Sequence, residues 1–187
     1  MNIPTDEELA SRLRNGDISA GGVLYERYKR NVYYFVVKMV RHDETAQDIV
    51  QQTFVAMIEK ISSLQQNSTL RQWLFSIARN ESLMYLRRKK IIPMDGLDGT
   101  DVTDESIFDT DTPYTLYASK ESSEIVHEAV RDLTPAYKEI ILLRLTEQLS
   151  YEEIAEITSS TVGAVRSKLH KARTALAKKL FPYIEKE

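Results

Sequence analysis

The amino-acid sequence predicts an all-α protein built as two small helical domains joined by an acidic linker. Apolar residues recur at three- and four-residue spacing through most of the 187 residues, and the whole chain holds 6 Gly and 5 Pro. This periodicity stops at Pro93 and resumes near residue 120. Between them, MDGLDGTDVTDESIFDTDTP is rich in Asp, Thr and Gly, and such a stretch is longer than connections inside a compact domain usually are. Charge is segregated in the same way. Residues 71–90 carry six basic residues and one acidic, residues 95–124 nine acidic and one Lys, and residues 163–180 six basic and no acidic. The net charge of −3 therefore conceals two basic helical segments around an acidic connector. Phosphate attraction acts over about a Debye length (~8 Å), so these local counts matter more than the total. The expected domains are residues 1–92 and 122–187, with a flexible linker over 93–121.

Bulk properties narrow the class. The composition, 42% hydrophobic and 28% charged, is that of an ordinary globular protein, and the absence of Cys excludes disulfides and thiolate metal sites. The most apolar run, residues 32–40, is broken by Lys38 and is far shorter than the roughly 20 residues of a membrane span. The acidic start MNIPTDEELA is unlike a signal peptide. The chain reads as cytoplasmic and not itself a membrane protein.

In the first domain, Thr5-Asp6-Glu7-Glu8 is a capping box for a short helix that Asn15-Gly16 closes. A long helix over residues 19–40 aligns Leu24, Tyr28, Val32, Phe35 and Met39. His42-Asp43 ends it and caps a helix over 44–61, where Ala46, Ile49, Val50, Phe54, Met57, Ile58 and Ile61 keep helical period. Residues 62–69 form a polar loop, and Ser68 or Thr69 caps a helix reaching about residue 88 with Trp73, Leu74, Ile77 and Leu86 among its apolar positions. In the second domain, one helix spans residues 124–133. Thr134-Pro135 then pairs an N-cap with Pro at the first helical position, for a helix to about residue 147. Ser150-Tyr151-Glu152-Glu153 is another capping box, opening a short helix to about residue 157; a turn at Ser159-Ser160-Thr161 leads into a basic helix over 162–179.

Residues 150–173 have the anatomy of a helix-turn-helix. Ile154, Ala155 and Ile157 face a second helix that buries Val165, Leu169, Ala172 and Leu176. Gly163, Ser167, His170, Lys171 and Thr174 point away from that stripe, with Arg166, Lys168 and Arg173 on its flanks. A recognition helix needs this division, because side chains at its N-terminal end reach base edges while flanking cations hold phosphates. An αα-hairpin with a solvated basic face would share the periodicity. A capping box, a short helix, a tight turn and an acid-free second helix coincide here, which favours DNA binding.

With those residues in view, the chain resembles the bacterial extracytoplasmic-function (ECF, group 4) sigma factors of RNA polymerase. LTPAYKEIILLRLTEQLSYEEIAEITSSTVGAVRSKLHKAR (residues 133–173) resembles the family's −35-reading domain, its region 4. DETAQDIVQQTF (43–54) is similar to the segment that docks on the clamp coiled coil of the polymerase's largest subunit, and LRQWLFSIARNESLMYLRR (70–88) to the part of region 2 that melts and reads the −10 element. The sequence departs from the family pattern at four places: Gln52 where an acidic residue is usual, Met84 where many members have Asp, Ser159 for a common Gly, and Ser160 for a common apolar residue.

The resemblance implies roles. Asp48, Gln51 and Gln52 would dock on core RNA polymerase, although periodicity alone is equally compatible with a solvated face. Thr161, Gly163, Arg166, Ser167, Lys168, His170, Lys171 and Arg173 would bind the −35 element. Asn80 would read a −10 base edge, and Arg79, Arg87, Arg88, Lys89 and Lys90 would clamp phosphates. Trp73 sits at core spacing with Ile77, so core packing is expected in preference to base stacking. The acidic linker is either a spacer or a segment threaded towards the polymerase cleft. Implied partners are core RNA polymerase, promoter DNA and an anti-sigma factor. His42, His127 and His170 lack metal-ligand spacing, and no nucleophile–base set or phosphate-binding glycine loop is apparent. The sequence therefore suggests no metal, no cofactor and no catalysis of its own. The competing reading is a stand-alone helix-turn-helix regulator whose N-terminal domain is a sensor.

Overall fold

The computed structural model describes residues 3–64, 69–91 and 120–184, and these are helical, without strands. The chain divides into two compact units, Met1–Val102 and Thr103–Glu187. The acidic linker of residues 93–121 falls almost wholly outside the described residues, as do Ser68 and the side chain of Lys90.

Among the described residues the first unit holds four α-helices: α1 (Asp6–Arg14), α2 (Ile18–Val40), α3 (Asp43–Lys60) and α4 (Leu70–Ile91). Thr5 and Glu8 form the expected capping box, with Glu8 N–H donating to Thr5 Oγ1 at 3.2 Å and Thr5 N–H to the Glu8 carboxylate at 2.8 Å. Gly16 follows the helix at φ +90°, and a Cβ there would meet nothing within 4 Å. The demand at Gly16 is therefore for left-handed backbone, not for space. Asp6 is held by both Arg27 and Tyr28 of α2, and Arg27 also donates to the Pro4 carbonyl at 2.8 Å. Burial, reinforced by this hydrogen bond to Asp6, pushes the Tyr28 phenol well above its ordinary range.

His42 caps α3 as expected, its Nδ1 accepting from Thr45 N–H at 3.3 Å. Thr69 caps α4 through a reciprocal pair with Gln72. α2 packs on the other three helices, and Phe35 meets Phe75 edge to face with centroids 5.6 Å apart. Leu24, Val32, Val36, Ala46, Met57, Leu74 and Ala78 complete a dry core.

Five expected core positions differ. Ile58 is 44% exposed, because the core seam of α3 continues from Met57 to Ile61 and Ile58 instead spreads over Gly21 of α2. Tyr28, Trp73, Ile77 and Leu86 are only half-buried. A regular stripe fixes the direction of a side chain but not how far the facing helix extends over it.

The second unit holds α5 (Lys120–Arg131), α6 (Pro135–Ile141), α7 (Tyr151–Thr158) and α8 (Val162–Ile184). Helix α5 starts and ends earlier than expected. Thr134 occupies the N-cap of α6 but makes no side-chain capping bond, so Pro135 alone marks the start. Beyond Ile141 the helix widens into a π turn over Leu142–Thr146, where Glu147 N–H reaches back to the Leu142 carbonyl at 3.2 Å. Gln148 then turns the chain at φ 53°. Helix α8 packs on α5, α6 and α7 around Leu133, Ile140, Leu143, Leu149, Ile154, Val165, Leu169 and Ala172. Leu176, expected in this stripe, is half-buried, one turn beyond the buried Ala172.

Candidate nucleic-acid interface

The helix-turn-helix is assembled by local chemistry. Ser150 and Glu153 form a capping box at 3.1 and 2.6 Å that starts α7. Ile154, Ala155 and Ile157 are buried against α8. Ser159 ends α7 in the left-handed region at φ 50°, and Thr161 opens α8 by accepting from Ala164 N–H at 3.1 Å. With Val165, Leu169 and Ala172 buried, the residues Thr161, Gly163, Arg166, Ser167, His170, Lys171 and Arg173 are all exposed. The turn thus presents seven of the eight expected −35 residues to solvent. Thr161 spends one hydroxyl lone pair on the cap and keeps its O–H.

Lys168 is the exception. Its Nζ lies 3.6 Å from Glu139 of α6, with Lys168 34% and Glu139 2% exposed. This pair ties the recognition helix to a carboxylate in the interior of the unit.

Two residues missing from the sequence-based site join it here. The guanidinium carbon of Arg166 lies 5.8 Å from the Tyr151 ring centroid, and that of Arg144 lies 5.3 Å from the same centroid. Arg144 also donates from Nη1 to the Leu149 carbonyl at 2.7 Å. A continuous α-helix over residues 135–147, as the sequence suggests, gives no indication of this meeting. It depends on the π turn and on the left-handed Gln148. An aromatic residue immediately after the Ser150 cap was the one available signal.

In the first unit, Asn80, Arg87, Arg88 and Lys89 are exposed on α4 and Arg79 is half-buried. The Asn80 amide oxygen accepts from Arg79 Nη1 at 3.2 Å, so part of its acceptor capacity is already used. Arg88 rests 3.6 Å from the Met84 sulfur. Of the polar loop over residues 62–69, residues 65–68 lie outside the described residues, and Thr69 is engaged in capping α4. Trp73 is covered only in part, so its ring is neither a sealed core residue nor a free platform. Asp48, Gln51 and Gln52 are exposed on α3, whose buried residues include Ile49, Val50, Thr53 and Phe54. Among the described residues there is no group of three or more His, Cys, Asp or Glu placed to hold a metal ion. None of their helices is long and apolar enough to cross a membrane.

Residues 24–91 match the family model for sigma-70 region 2, and residues 123–176 that for sigma-70 region 4. The chain is 32% identical over 183 residues to the ECF RNA polymerase sigma-E factor of Haemophilus influenzae, covering 95% of this chain and 96% of the relative. It is 29% identical over 188 residues to the RNA polymerase sigma-H factor of Pseudomonas aeruginosa, covering 96% and 95% respectively. Two solved structures share the fold. CnrH in complex with the cytosolic domain of CnrY superposes with a TM-score of 0.69 at 22% identity, covering 95% of this chain and 97% of that one. The sigma factor RpoE of Bartonella quintana, in complex with the anti-sigma factor NepR, gives 0.59 at 22% identity, covering 80% and 89%.

Proposed function

The chain belongs to the ECF RNA polymerase sigma factors, and from that membership we propose that it binds core RNA polymerase in the cytoplasm and directs it to promoters as a group 4 member. The observation that carries this reading is that one chain holds sigma-70 regions 2 and 4 in order, each folded as its own helical unit. Residues 1–92 form the core-binding and −10-reading domain, residues 122–187 the −35-reading domain, and residues 93–121 the acidic connector. Asp48, Gln51 and Gln52 dock on the polymerase; their exposure on α3 supports this. The face of α8 from Thr161 to Arg173 reads the −35 element, and Arg79, Asn80, Arg87, Arg88, Lys89 and Lys90 engage the −10 region. Each is a modest contact, and the connector makes the second binding event intramolecular once the first has formed. The chemistry of RNA synthesis stays with the polymerase. An anti-sigma factor is the expected regulator, since a protein of the same fold, RpoE of Bartonella quintana, is seen bound to one.

Reconstitution with core RNA polymerase and mapping of transcription starts on genomic DNA tests the proposal. Start sites sharing −35 and −10 elements, abolished by Asp48→Arg, are expected. If the chain fails to bind core polymerase but shifts duplex DNA alone, a stand-alone helix-turn-helix regulator replaces this reading.

A further inference from the structure

Resting on the sigma-factor reading, we propose that Tyr151 is a positioning residue for promoter binding: its ring orders Arg144 and Arg166 as one arginine pair for the DNA backbone. The two guanidiniums come from different elements, Arg144 from the π turn and Arg166 from the N-terminal half of α8, and both lie within 6 Å of one ring. Tyr151 itself is the first residue of α7. The ring therefore joins the three segments that meet at the mouth of the helix-turn-helix.

The backbone around Arg144 is unusual in a way that serves this contact. The π turn over Leu142–Thr146 adds a residue to the helical register, and Gln148 adopts φ 53° without being glycine. Both features are unfavourable in isolation and concentrate at functional positions. Together they return the Leu149 carbonyl to Arg144, which donates to it at 2.7 Å. Arg144 is thus held both by the backbone carbonyl and by the ring 5.3 Å away.

The consequence is preorganisation. A free arginine loses its rotamer freedom when it docks on a phosphate; one already stacked has lost it beforehand. Two cations drawn to one ring also concentrate positive charge at a single place, and a bridging phosphate relieves their mutual repulsion. Arg144, absent from the sequence-based site, thereby becomes a further phosphate contact. The ring is the active element and the hydroxyl is dispensable.

The test uses holoenzyme reconstituted from core polymerase and full-length chain, with a fluorescein-labelled duplex of the strongest promoter found by start-site mapping. Tyr151→Leu should weaken binding about tenfold, the product of two exposed cation–π contacts, and lower the salt slope by up to about one unit. Tyr151→Phe should bind within about twofold of wild type. Added to Arg166→Ala, Tyr151→Leu should cost only about threefold more, since Arg144 alone remains to be released. Equal weakening by Phe and Leu would assign the role to the hydroxyl and overturn the proposal, as would a full tenfold loss in the Arg166→Ala background. Should Tyr151→Leu lose helix content by circular dichroism, Arg144→Lys decides. It keeps the charge but not the planar guanidinium, and undiminished binding overturns the proposal. A wild-type chain that directs no initiation would remove the sigma reading and this inference together, whereas normal initiation with an inert Tyr151 removes this inference alone.

Discussion

The two units are both small helical bundles, yet they bury different things. In the first, the buried polar side chains are Thr53, Gln72 and Ser82, and each is satisfied within its own helix. Thr53 and Ser82 donate to carbonyls four residues back at 2.7 and 2.8 Å, and Gln72 belongs to the cap of α4. The second buries Lys138, Glu139 and Glu147 among Ile140, Ile141, Leu142 and Leu143. One of these charges, Glu139, reaches Lys168 on the recognition helix. In the first unit the candidate contacts Asp48, Gln51 and Gln52 stand on a scaffold that does not use them. In the second, the recognition helix is tied into the scaffold by its own charged side chains. Function and stability should separate in the first unit and couple in the second.

The largest effect expected is on stability alone. Phe35→Ala removes a ring packed edge to face on Phe75 and should destabilise the first unit by about 3–5 kcal/mol. Hydrogen exchange should lose protection across α2, α3 and α4 while α5 to α8 keep theirs. Loss spread over both units would mean that they do not unfold independently. Next comes an effect on binding alone. Asp48→Arg reverses an exposed charge, so core-polymerase affinity should fall by at least about 30-fold, roughly 2 kcal/mol. The melting midpoint should remain where it was, within about 0.5 kcal/mol of stability. A parallel drop in melting temperature would mean that the docking face is structural after all.

These two tests also mark what the sequence made legible. Thr5, Asn15-Gly16, His42, Thr69 and Ser150 announce their helix ends because caps act within four residues, and each cap was found in place. The apolar stripes gave Phe35, Met57, Leu74, Val165 and Leu169 as core, because a 3.6-residue period maps directly onto one face. The exposure of the recognition face follows from the same stripe. What escaped depended on segments distant in sequence or on backbone irregularity. Nothing local says that Lys168 meets Glu139, 29 residues earlier. The π turn has no periodic signature, so nothing local marks Arg144. Ile58 carried the right residue type at the right spacing, but its burial depended on how far α2 covers α3.

Coupling in the second unit is measured at Lys168. Lys168→Ala removes one ammonium neighbour from the Glu139 carboxylate, which is 2% exposed. A fully buried broken pair costs about 3–5 kcal/mol; the partial exposure of Lys168 reduces the expectation to about 1–2 kcal/mol. Affinity for a −35 duplex in holoenzyme should fall with it. Adding Glu139→Gln should recover much of the stability, since a neutral amide needs no counter-charge, but not the DNA affinity that the missing cation supplied. If Lys168→Ala weakens DNA binding with no loss of stability, Lys168 acts on phosphate alone and function is separate from stability in both units.

The smallest effect concerns the turn itself. Ser159 holds φ 50° and ψ 48°, a conformation that costs a non-glycine residue about 1 kcal/mol. Ser159→Gly removes that strain but gives the unfolded chain back about 0.5 kcal/mol of entropy. The net expectation is a gain of about 0.5 kcal/mol, visible as a rise of roughly 2–4 °C in the melting midpoint of the second unit. The bonds that define the turn, Ser159 N–H to Glu156 at 3.1 Å and Ser160 N–H to Ala155 at 2.9 Å, use backbone atoms only. Glycine can keep both, so α8 should start in the same place and DNA affinity should hold within about twofold. A larger change in affinity would show that the serine, through its restricted backbone, sets the angle at which α8 enters the groove. The strain would then belong to recognition, the same kind of coupling that Lys168 makes by charge.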